Sequence, residues 1–302
     1  MSRGRANAPT ILFDSVAPRD ACRLQPKGET MRRLVLLPGA LIALLATAPH
    51  AAVTASAQTV AAAPKPAECS LVWTGHEDEI EKFLLEGEIV KMEVVPIGVT
   101  KPFRAVLAPG GPAARFVWKP LTPGYSKGYM ESYKAEIAAY KFDRMLDLHM
   151  VPPIVERRID GRTGAAGLWV ENINSWSVKN PPQGPEPKWS IQLTRMKMFD
   201  LLIANIDRNQ GNLIYDNDWH LFLIDHSRAF TDRKDLKGMA PLGRVDRQLW
   251  NKMLALTLED LDKGLDNWVG DKEKKAILLR RDKMALQIKQ MVAKRGESVF
   301  YD

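Results

Sequence analysis

The chain has little cysteine and histidine. Among its 302 residues are two cysteines and five histidines, the latter at positions 50, 76, 149, 220 and 226, with no spacing typical of metal ligands. No C-x-x-C pair is present, so neither a zinc-binding nor a thioredoxin-like redox motif is predicted. Removal of a leader containing Cys22 would leave Cys69 alone and exclude a disulfide within the mature chain. A zinc enzyme is therefore not expected.

A long apolar run is also missing. The run over residues 34–48 contains Pro38 and Gly39, and its length of about 15 residues is short of the roughly 20 that span a membrane. It follows Met31-Arg32-Arg33 and precedes Ala55-Ser56-Ala57, which is the order of a cleavable signal peptide. A membrane anchor is the alternative interpretation.

These segments define the expected start of the mature protein. We expect an upstream extension and signal peptide over residues 1–57, with the signal peptide itself at 31–57 and a linker at 58–75. Gln58 would then be the mature N-terminus. The protein would be exported, periplasmic or secreted, from a signal that starts at Met31.

The excess of positive charge is small. Lys and Arg number 43 against 36 Asp and Glu, a formal net charge of +7. Residues 1–57 hold seven basic and three acidic side chains, so the remainder is near +3. This surplus does not predict a nucleic-acid partner. The composition, 45% hydrophobic and 26% charged, is typical of one globular domain or two small lobes.

The most informative segment runs from Phe199 to Phe230. Two short apolar runs, Asn212–Tyr215 and Leu221–Ile224, flank the turn-forming sequence Asp216-Asn217-Asp218. This pattern predicts a β-hairpin.

Folding that hairpin brings three polar residues together. The turn lies about midway between Asn212 and Asp225, so the two residues meet at the open end of the hairpin. Asp207 lies on the loop that precedes it. Phosphoryl transfer needs oxygen ligands for a divalent ion and a carboxylate that orients the attacking hydroxyl. We therefore predict Asn212 and Asp225 as metal ligands, Asp207 as the catalytic carboxylate, and ATP with Mg²⁺ or Mn²⁺ as the cofactor.

A second pair of residues points to the same chemistry. Lys119 ends a strand-like run, and Glu136 lies 17 residues later in the amphipathic helical segment Glu131–Leu148. A strand lysine paired with a helix glutamate holds the nucleotide phosphates in kinases. We predict that Lys119 and Glu136 bind the nucleotide. A surface lysine is the alternative, and Glu131 is the nearest substitute for Glu136.

The catalytic loop resembles that of atypical kinases. The order Asp207-Arg208-x-x-x-Asn212 is similar to phosphoinositide 3/4-kinase-like, HipA-like and secretory-pathway kinases related to Golgi casein kinase. The segment Ala135–Arg157, followed by DLLIANIDRNQGN, resembles the helix C and catalytic loop of the secretory-pathway group. The resemblance covers about Glu88 to Phe230. These families also lack the G-x-G-x-x-G phosphate loop, which is absent here.

The resemblance implies a fold. We expect an α+β, two-lobed, protein-kinase-like structure, with a small antiparallel-sheet N-lobe over residues 76–171 and a mainly helical C-lobe over 172–302. Residues Gly167–Glu171 would form the hinge between the lobes. Two departures from the family pattern are His226-Ser227 after Asp225, where Phe-Gly is usual, and Asn209 after Asp-Arg, where Golgi-type kinases have histidine.

Smaller patterns predict further elements. Ile154–Ile159 and Ala166–Val170 are expected to be strands around a turn over residues 160–164. Ser190 is expected to cap a helix that reaches Ala204. Thr257 and Asp260 are expected to form a capping box. Three helices are predicted from residue 245 onward.

Polar residues around the catalytic loop have expected supporting roles. Asp200 is predicted to brace the loop through backbone N–H groups. Arg208 is predicted to pair with a carboxylate or a phosphate. Asn205 is predicted to shape the loop.

The predicted function is ATP-dependent transfer of the γ-phosphate to a hydroxyl group. The acceptor would be a protein Ser/Thr, a sugar or an inositol lipid, in that order. Two other classes stay open: a nucleotide-binding pseudokinase, and a nucleotidyl transferase (AMPylase) on a kinase fold. No nucleic-acid partner and no stable membrane span are expected.

Overall fold

The computed structural model describes residues 73–96, 101–126 and 128–302. The predicted signal peptide, the linker up to residue 72, both cysteines and the Ile97–Thr100 turn lie outside the described residues. Within the described part of the chain, no helix combines the length and the apolar character that crossing a membrane requires.

The first lobe is built on an antiparallel sheet. Among the described residues, seven strands precede residue 169: β1 (Ile89–Val94), β2 (Phe103–Leu107), β3 (Arg115–Lys119), β4 (Gly124–Ser126), β5 (Tyr129–Glu131), β6 (Ile154–Ile159) and β7 (Arg162–Leu168). Five of them form one sheet in the order β1-β2-β3-β7-β6, and β4 and β5 form a separate hairpin. The pairing of β3 with β7 thus joins the three-stranded meander β1–β3 and the later hairpin β6–β7 into one sheet.

Strand β3 has two different faces. Phe116 and Trp118 are fully buried in the core of this lobe, whereas Val117 and Lys119 line the cleft. Alternate side chains of a strand point to opposite faces, so burial of Trp118 in the core directs the Lys119 side chain into the cleft. The structure places Lys119 at the end of this strand, as predicted.

The turn between β6 and β7 is tighter than predicted. Ile159 pairs with Arg162, so only Asp160 and Gly161 connect the strands. Both residues have positive φ angles, 49° and 78°, as a two-residue hairpin of type I′ requires. The expected turn over residues 160–164 was therefore too long, because the Asp-Gly pair alone reverses the chain. Strand β7 correspondingly begins at Arg162 and ends at Leu168.

Two helices pack against this sheet. Helix α1 (Glu77–Glu86) buries Ile80 and Leu84, and helix α2 (Tyr133–Leu146) begins at the side-chain cap Ser132. Helix α2 ends at Asp147, which has the left-handed conformation. Pro152 and Pro153 then lead into β6. A helix cannot continue through them, because proline has no N–H to donate and its ring does not fit inside a helix.

The second lobe is mainly helical. Helix α3 (Lys188–Ile203) leads to the predicted hairpin, β9 (Leu213–Asp216) and β10 (Leu221–Leu223), and β8 (Ile173–Ser175) pairs with the outer edge of β9. Helix α3 starts before Ser190, at the N-cap residue Pro187. The prediction that Ser190 caps this helix was wrong, because the helix begins at Lys188 and Ser190 already lies in its first turn, where its hydroxyl donates to Glu186.

The C-terminal part contains the three predicted helices. They are α4 (Arg247–Ala255), α5 (Leu258–Leu265) and α6 (Asp271–Arg295), with the short parallel strands β11 (Val245–Asp246) and β12 (Phe300–Tyr301) beside them. The capping box is confirmed, since the Thr257 side chain accepts from the Asp260 N–H and the Asp260 carboxylate accepts from the Thr257 N–H. The expected α+β, two-lobed architecture is confirmed.

Two main apolar clusters fill the interior of the described residues. The larger one joins α2, α3, the hairpin and the C-terminal helices, and the smaller one joins α1 and the five-stranded sheet to Ile214 and Phe222 of the hairpin. Residues 169–172 connect β7 of the first sheet to β8 of the second. The predicted lobe boundary at Glu171 lies within this connection, and it stays a prediction.

Candidate functional site

The hairpin brings Asn212 to the level of Asp225. Leu223 pairs with Leu213, and the Ile224 N–H donates to the Asn212 carbonyl at 3.4 Å. Asp225 is the next residue and has a φ of 63°. A non-glycine residue in this left-handed region is strained, and such strain is concentrated at functional sites. The predicted hairpin and its open end are therefore present.

Lys119 lies at the centre of the site. Its Nζ donates to Glu136 Oε1 at 2.6 Å and to Asp225 Oδ1 at 3.0 Å. Burial acts to lower the pKa of Lys119, but the two carboxylates outweigh it and raise the pKa above its ordinary value. The lysine is therefore a fixed cation between two acids from different lobes.

The two acids respond in opposite directions. The Lys119 ammonium lowers the pKa of Asp225 below its ordinary value, so Asp225 is an anion. Burial raises the pKa of Glu136, although the Lys119 ammonium and the His226 N–H act against this rise. Glu136 Oε2 accepts from the His226 N–H at 2.9 Å. The structure thus places Glu136, and not Glu131, against Lys119.

Asp207 lies on the loop after α3. Its side chain is 37% exposed, and its Oδ2 accepts from the Arg228 guanidinium at 2.9 Å. The Asp207 carbonyl accepts from Asn212 Nδ2 at 2.9 Å. The amide nitrogen of Asn212 is thereby engaged, which leaves its side-chain oxygen as the atom available to a cation.

Arg208 fastens this loop to the hairpin. Its guanidinium donates to both carboxylate oxygens of Asp200 at 2.9 Å and to the carbonyls of Asn212 and Ile224 at 3.0 and 2.9 Å. Asn205 Nδ2 also donates to Asp200, at 2.9 Å. Asp200 braces the loop as predicted, but the donors to its carboxylate are the side chains of Arg208 and Asn205, and the predicted backbone N–H donors are not found among the described residues.

His226 is a residue whose position the sequence did not reveal. It is completely buried, and burial together with the charges of Arg208 and Lys119 lowers its pKa well below the ordinary value. Its Nε2 lies 2.8 Å from an Arg208 nitrogen that can only donate, so Nε2 accepts. The neutral His226 ring stands where the kinase pattern has phenylalanine after its metal-binding aspartate. Its Nε2 is an additional hydrogen-bond acceptor for Arg208.

An apolar cleft opens beside these charges. Lys119, Glu136 and Asp225 form its polar end. The apolar walls come from both lobes: Val117, Pro152, Ile154, Ala165, Gly167, Leu168, Leu223 and Ile224. Narrow apolar walls next to a few convergent charges suit a flat ring that carries a charged group.

Part of the predicted hinge lies elsewhere than expected. Gly167 and Leu168 belong to β7, and the Leu168 N–H donates to the Pro153 carbonyl at 2.8 Å. The Trp169 N–H donates to the Arg115 carbonyl at 3.2 Å. These two donors are therefore engaged within the sheet region, and a contact between the hinge and a base stays a prediction.

A different group of possible metal ligands lies at the tip of the hairpin. One ligand atom each of Asp216, Asp218 and His220 lies within 4.8 Å of the others. Both Asp216 oxygens already accept from His220, at 2.8 Å from its N–H and 2.8 Å from Nδ1. The Lys188 ammonium lies 3.4 Å from His220 Nε2. The nearby Lys188 ammonium and the hydrogen bonds between Asp216 and His220 explain this group as a structural feature of the hairpin tip.

Comparison with known proteins shows similarity of fold. No protein-family model matches the chain, and no curated protein matches it in sequence. The crystal structure of the Golgi casein kinase superposes with a TM-score of 0.58 at 16% identity, over 75% of this chain and 79% of that one. The same kinase with Mn/ADP bound gives 0.55 at 15% identity, over 74% and 78% of the two chains.

A further structure extends the similarity. Hydra Fam20, solved with sugar, gives a TM-score of 0.56 at 17% identity, over 74% of this chain and 91% of that one. The chain therefore has a two-lobed, kinase-like fold, and the resemblance to secretory-pathway atypical kinases is confirmed at the level of structure.

Proposed function

We propose that this protein is an atypical kinase that transfers the γ-phosphate of ATP to a hydroxyl group. The observation that carries the proposal is the position of Lys119, whose ammonium contacts Glu136 and Asp225 at the polar end of an apolar cleft. Kinases use this arrangement of a strand lysine, a helix glutamate and a metal-binding aspartate to hold a nucleotide triphosphate.

The residues present fit a nucleotide and a divalent ion. The apolar walls would hold the base, and Lys119 would bind phosphate oxygens. Asp225 and the side-chain oxygen of Asn212 are hard oxygen donors, which Mg²⁺ and Mn²⁺ prefer. A divalent ion held there would neutralise the negative charge on the phosphates.

Asp207 is assigned the role of catalytic carboxylate. As the acceptor oxygen bonds to the γ-phosphorus, the bond from that phosphorus to the β–γ bridging oxygen breaks and ADP leaves. The proton of the hydroxyl passes to Asp207. The partial exposure of this carboxylate suits a group that must reach an incoming acceptor.

The first acceptor to test is a protein Ser/Thr hydroxyl. The experiment incubates the full chain and Mg²⁺ or Mn²⁺ with γ-labelled or α-labelled ATP and, separately, protein, sugar and inositol-lipid acceptors. Transfer of γ-label alone is expected. Transfer of α-label would instead identify a nucleotidyl transferase, and nucleotide binding without transfer would identify a pseudokinase.

Two variants connect the activity to the proposed residues. We expect Asp207→Asn to lower the rate by about 10²- to 10⁴-fold through loss of the proton acceptor. Asp225→Asn is expected to lower it at least about 10²-fold through loss of charge stabilisation at the phosphates. Asp282→Asn, an exposed carboxylate on α6, is the matched control. Equal activity of all three variants would contradict the assignment.

We also propose that the protein is exported through residues 31–57. Support comes from the order of a charged start, an apolar run and an A-x-A site in the sequence. The test expresses the full chain in cells and determines the N-terminus of the product recovered from the exported fraction, where Gln58 is expected. An intracellular product that begins upstream of Met31 would contradict export.

A further inference from the structure

The guanidinium of Arg228 joins the candidate catalytic carboxylate to a buried acid. Arg228 donates one N–H to Asp207 Oδ2 at 2.9 Å. Two other nitrogens donate to Glu131 Oε1, at 2.8 and 2.6 Å. A planar guanidinium has donors on separate edges, so one side chain can hold two carboxylates in fixed directions.

Glu131 is a rigid anchor for this bridge. Its side chain is 6% exposed, and it ends β5 immediately before the cap of α2. The next residue, Ser132, donates its N–H to the Ser227 carbonyl at 2.9 Å. Arg228 also lies over the Tyr129 ring, 4.4 Å from its centre. The guanidinium is therefore held by the β4–β5 hairpin on the side opposite to Asp207.

The bridge leaves half of the catalytic carboxylate open. Oδ2 of Asp207 is occupied by Arg228, whereas Oδ1 accepts no hydrogen bond from the residues that the structure describes. Because Arg228 holds Oδ2 in place, the plane of the Asp207 carboxyl group is set, and with it the direction of Oδ1. A proton acceptor must be held in the productive direction before the hydroxyl arrives.

We propose that Arg228 is a positioning residue that aims Asp207 at the acceptor hydroxyl, with Glu131 as its anchor. This inference rests on the proposed kinase function. The paired Glu131 also neutralises Arg228, so the arginine is a brace for Asp207 and is not a free cationic site for an acidic acceptor.

Arg228→Met tests this role in the full chain through the split between kcat and KM. We expect kcat to fall by up to about 100-fold, because a misaimed proton acceptor slows the transfer step. The KM for ATP and the affinity for Mn²⁺-ADP are expected to change by less than about twofold, because the bridge touches neither Lys119 nor Asp225. Arg228→Lys should recover part of kcat, since an ammonium can still contact Asp207.

A double variant separates positioning from stability. Arg228→Met leaves Glu131 buried without its cation, which destabilises the fold. Glu131→Gln combined with Arg228→Met removes that buried charge, so we expect the melting temperature to return towards that of the wild type while kcat stays low. Arg247→Met is the matched control, since Arg247 also bridges two carboxylates, Glu297 and Asp302, away from the cleft.

The outcomes distinguish the inference from the proposed function. A wild-type chain without phosphoryl transfer would overturn the proposed function and, with it, the role of Arg228. An active wild type whose Arg228→Met variant keeps its kcat would overturn the role of Arg228 alone. Recovery of kcat in the double variant would do the same, because it would trace the loss to the unpaired Glu131.

Discussion

At the scale of single residues, Lys119 is the group on which the site depends. Its side chain is 14% exposed, and its ammonium compensates Glu136, whose side chain is 3% exposed. A buried ion pair adds little net stability, but removal of one partner leaves the other as an uncompensated charge. The lysine therefore has a measurable structural role even without a nucleotide.

We expect Lys119→Met to lower the free energy of unfolding by about 3–5 kcal/mol, because Glu136 loses its cation. The double variant Lys119→Met with Glu136→Gln should recover most of this loss without recovering nucleotide binding. Urea denaturation at neutral pH measures both. Lys289→Met, an exposed lysine on α6, is the control. A Lys119→Met variant as stable as the wild type would contradict the buried pair.

Asp143 makes stability depend on pH. It is a buried residue of α2 whose Oδ1 accepts from the N–H groups of Met150 and Val151, each at 3.0 Å. Burial nevertheless raises its pKa from 3.8 to about 7. The folded chain keeps this proton to a higher pH than the unfolded chain, so ionisation of the unfolded state favours unfolding as the pH rises from about 4 to 7.

Asp143→Asn removes this titration while keeping an oxygen for both N–H groups. We expect the variant and the wild type to be equally stable near pH 4, and the variant to gain up to about 4 kcal/mol over the wild type by pH 7. Chemical denaturation of both proteins across this range measures the difference. A stability difference that does not change with pH would show that Asp143 is ionised in the folded chain.

At this scale, the sequence predicted the charged residues of the site better than the residues that hold them in place. Lys119 and Glu136 were predicted as a pair from the strand and helix patterns, and Asp225 from the hairpin; the structure brings Lys119 into contact with both acids. The bridge from Arg228 to Glu131 was not predicted, because 97 residues separate its ends. Only folding brings them together, and no local pattern links residues at that separation.

At the scale of elements, the hairpin and its preceding loop act as one unit. Arg208 connects Asp200 at the end of α3 to the carbonyls of Asn212 and Ile224 at the open end of the hairpin. Both predicted strands are present, with ends that differ from the prediction by one residue, because the hairpin has a local turn signal. The arginine that closes its open end was predicted only to pair with some carboxylate or phosphate, since tertiary contacts selected its partners.

We expect Asp200→Ala to loosen the loop without unfolding α3. The Arg208 guanidinium loses its buried partner, which we expect to cost about 3–5 kcal/mol. Amide hydrogen exchange over residues 204–212 should become faster, while exchange in α6 should change only with global stability. Unchanged protection of residues 204–212 would contradict the proposed closure of the hairpin by Arg208.

Two predicted helix starts give a matched comparison. Thr257 caps α5, whereas Ser190 lies inside the first turn of α3 and donates to Glu186 at 2.7 Å on the surface. We expect Thr257→Ala to lower the free energy of unfolding by about 1 kcal/mol. Ser190→Ala should change it by less than about 0.5 kcal/mol. Thermal and urea denaturation measure both, and equal costs would contradict this assignment of the caps.

At the scale of the whole molecule, the cleft lies where the two lobes meet. Its walls combine Val117 and Ala165 of the first sheet with Leu223 and Ile224 of the second lobe, and Lys119 joins acids from both. The two-lobed fold was predictable from the order of its elements. The shape of the cleft was not, because it depends on how the first sheet packs against the hairpin of the second lobe.

A nucleotide that contacts both lobes should stabilise the whole chain. At a Mn²⁺-ADP concentration about 100 times Kd, we expect about 2.7 kcal/mol of added stability. Asp225→Asn and Asn212→Ala should lose most of this gain, because they remove the proposed oxygen ligands. Thermal melts with and without Mn²⁺-ADP measure it, with Asp282→Asn as the control. An equal gain in all variants would place the metal elsewhere.

The alternation along β3 restricts how this chain can diverge. Trp118 is anchored in one core and its neighbour Lys119 in the cleft, so inserting or deleting a single amino acid within the strand would exchange their positions. The indole would then face the cleft and the ammonium would enter an apolar interior. Length changes can therefore accumulate in the connection between β2 and β3, while the strand itself must keep a fixed number of residues.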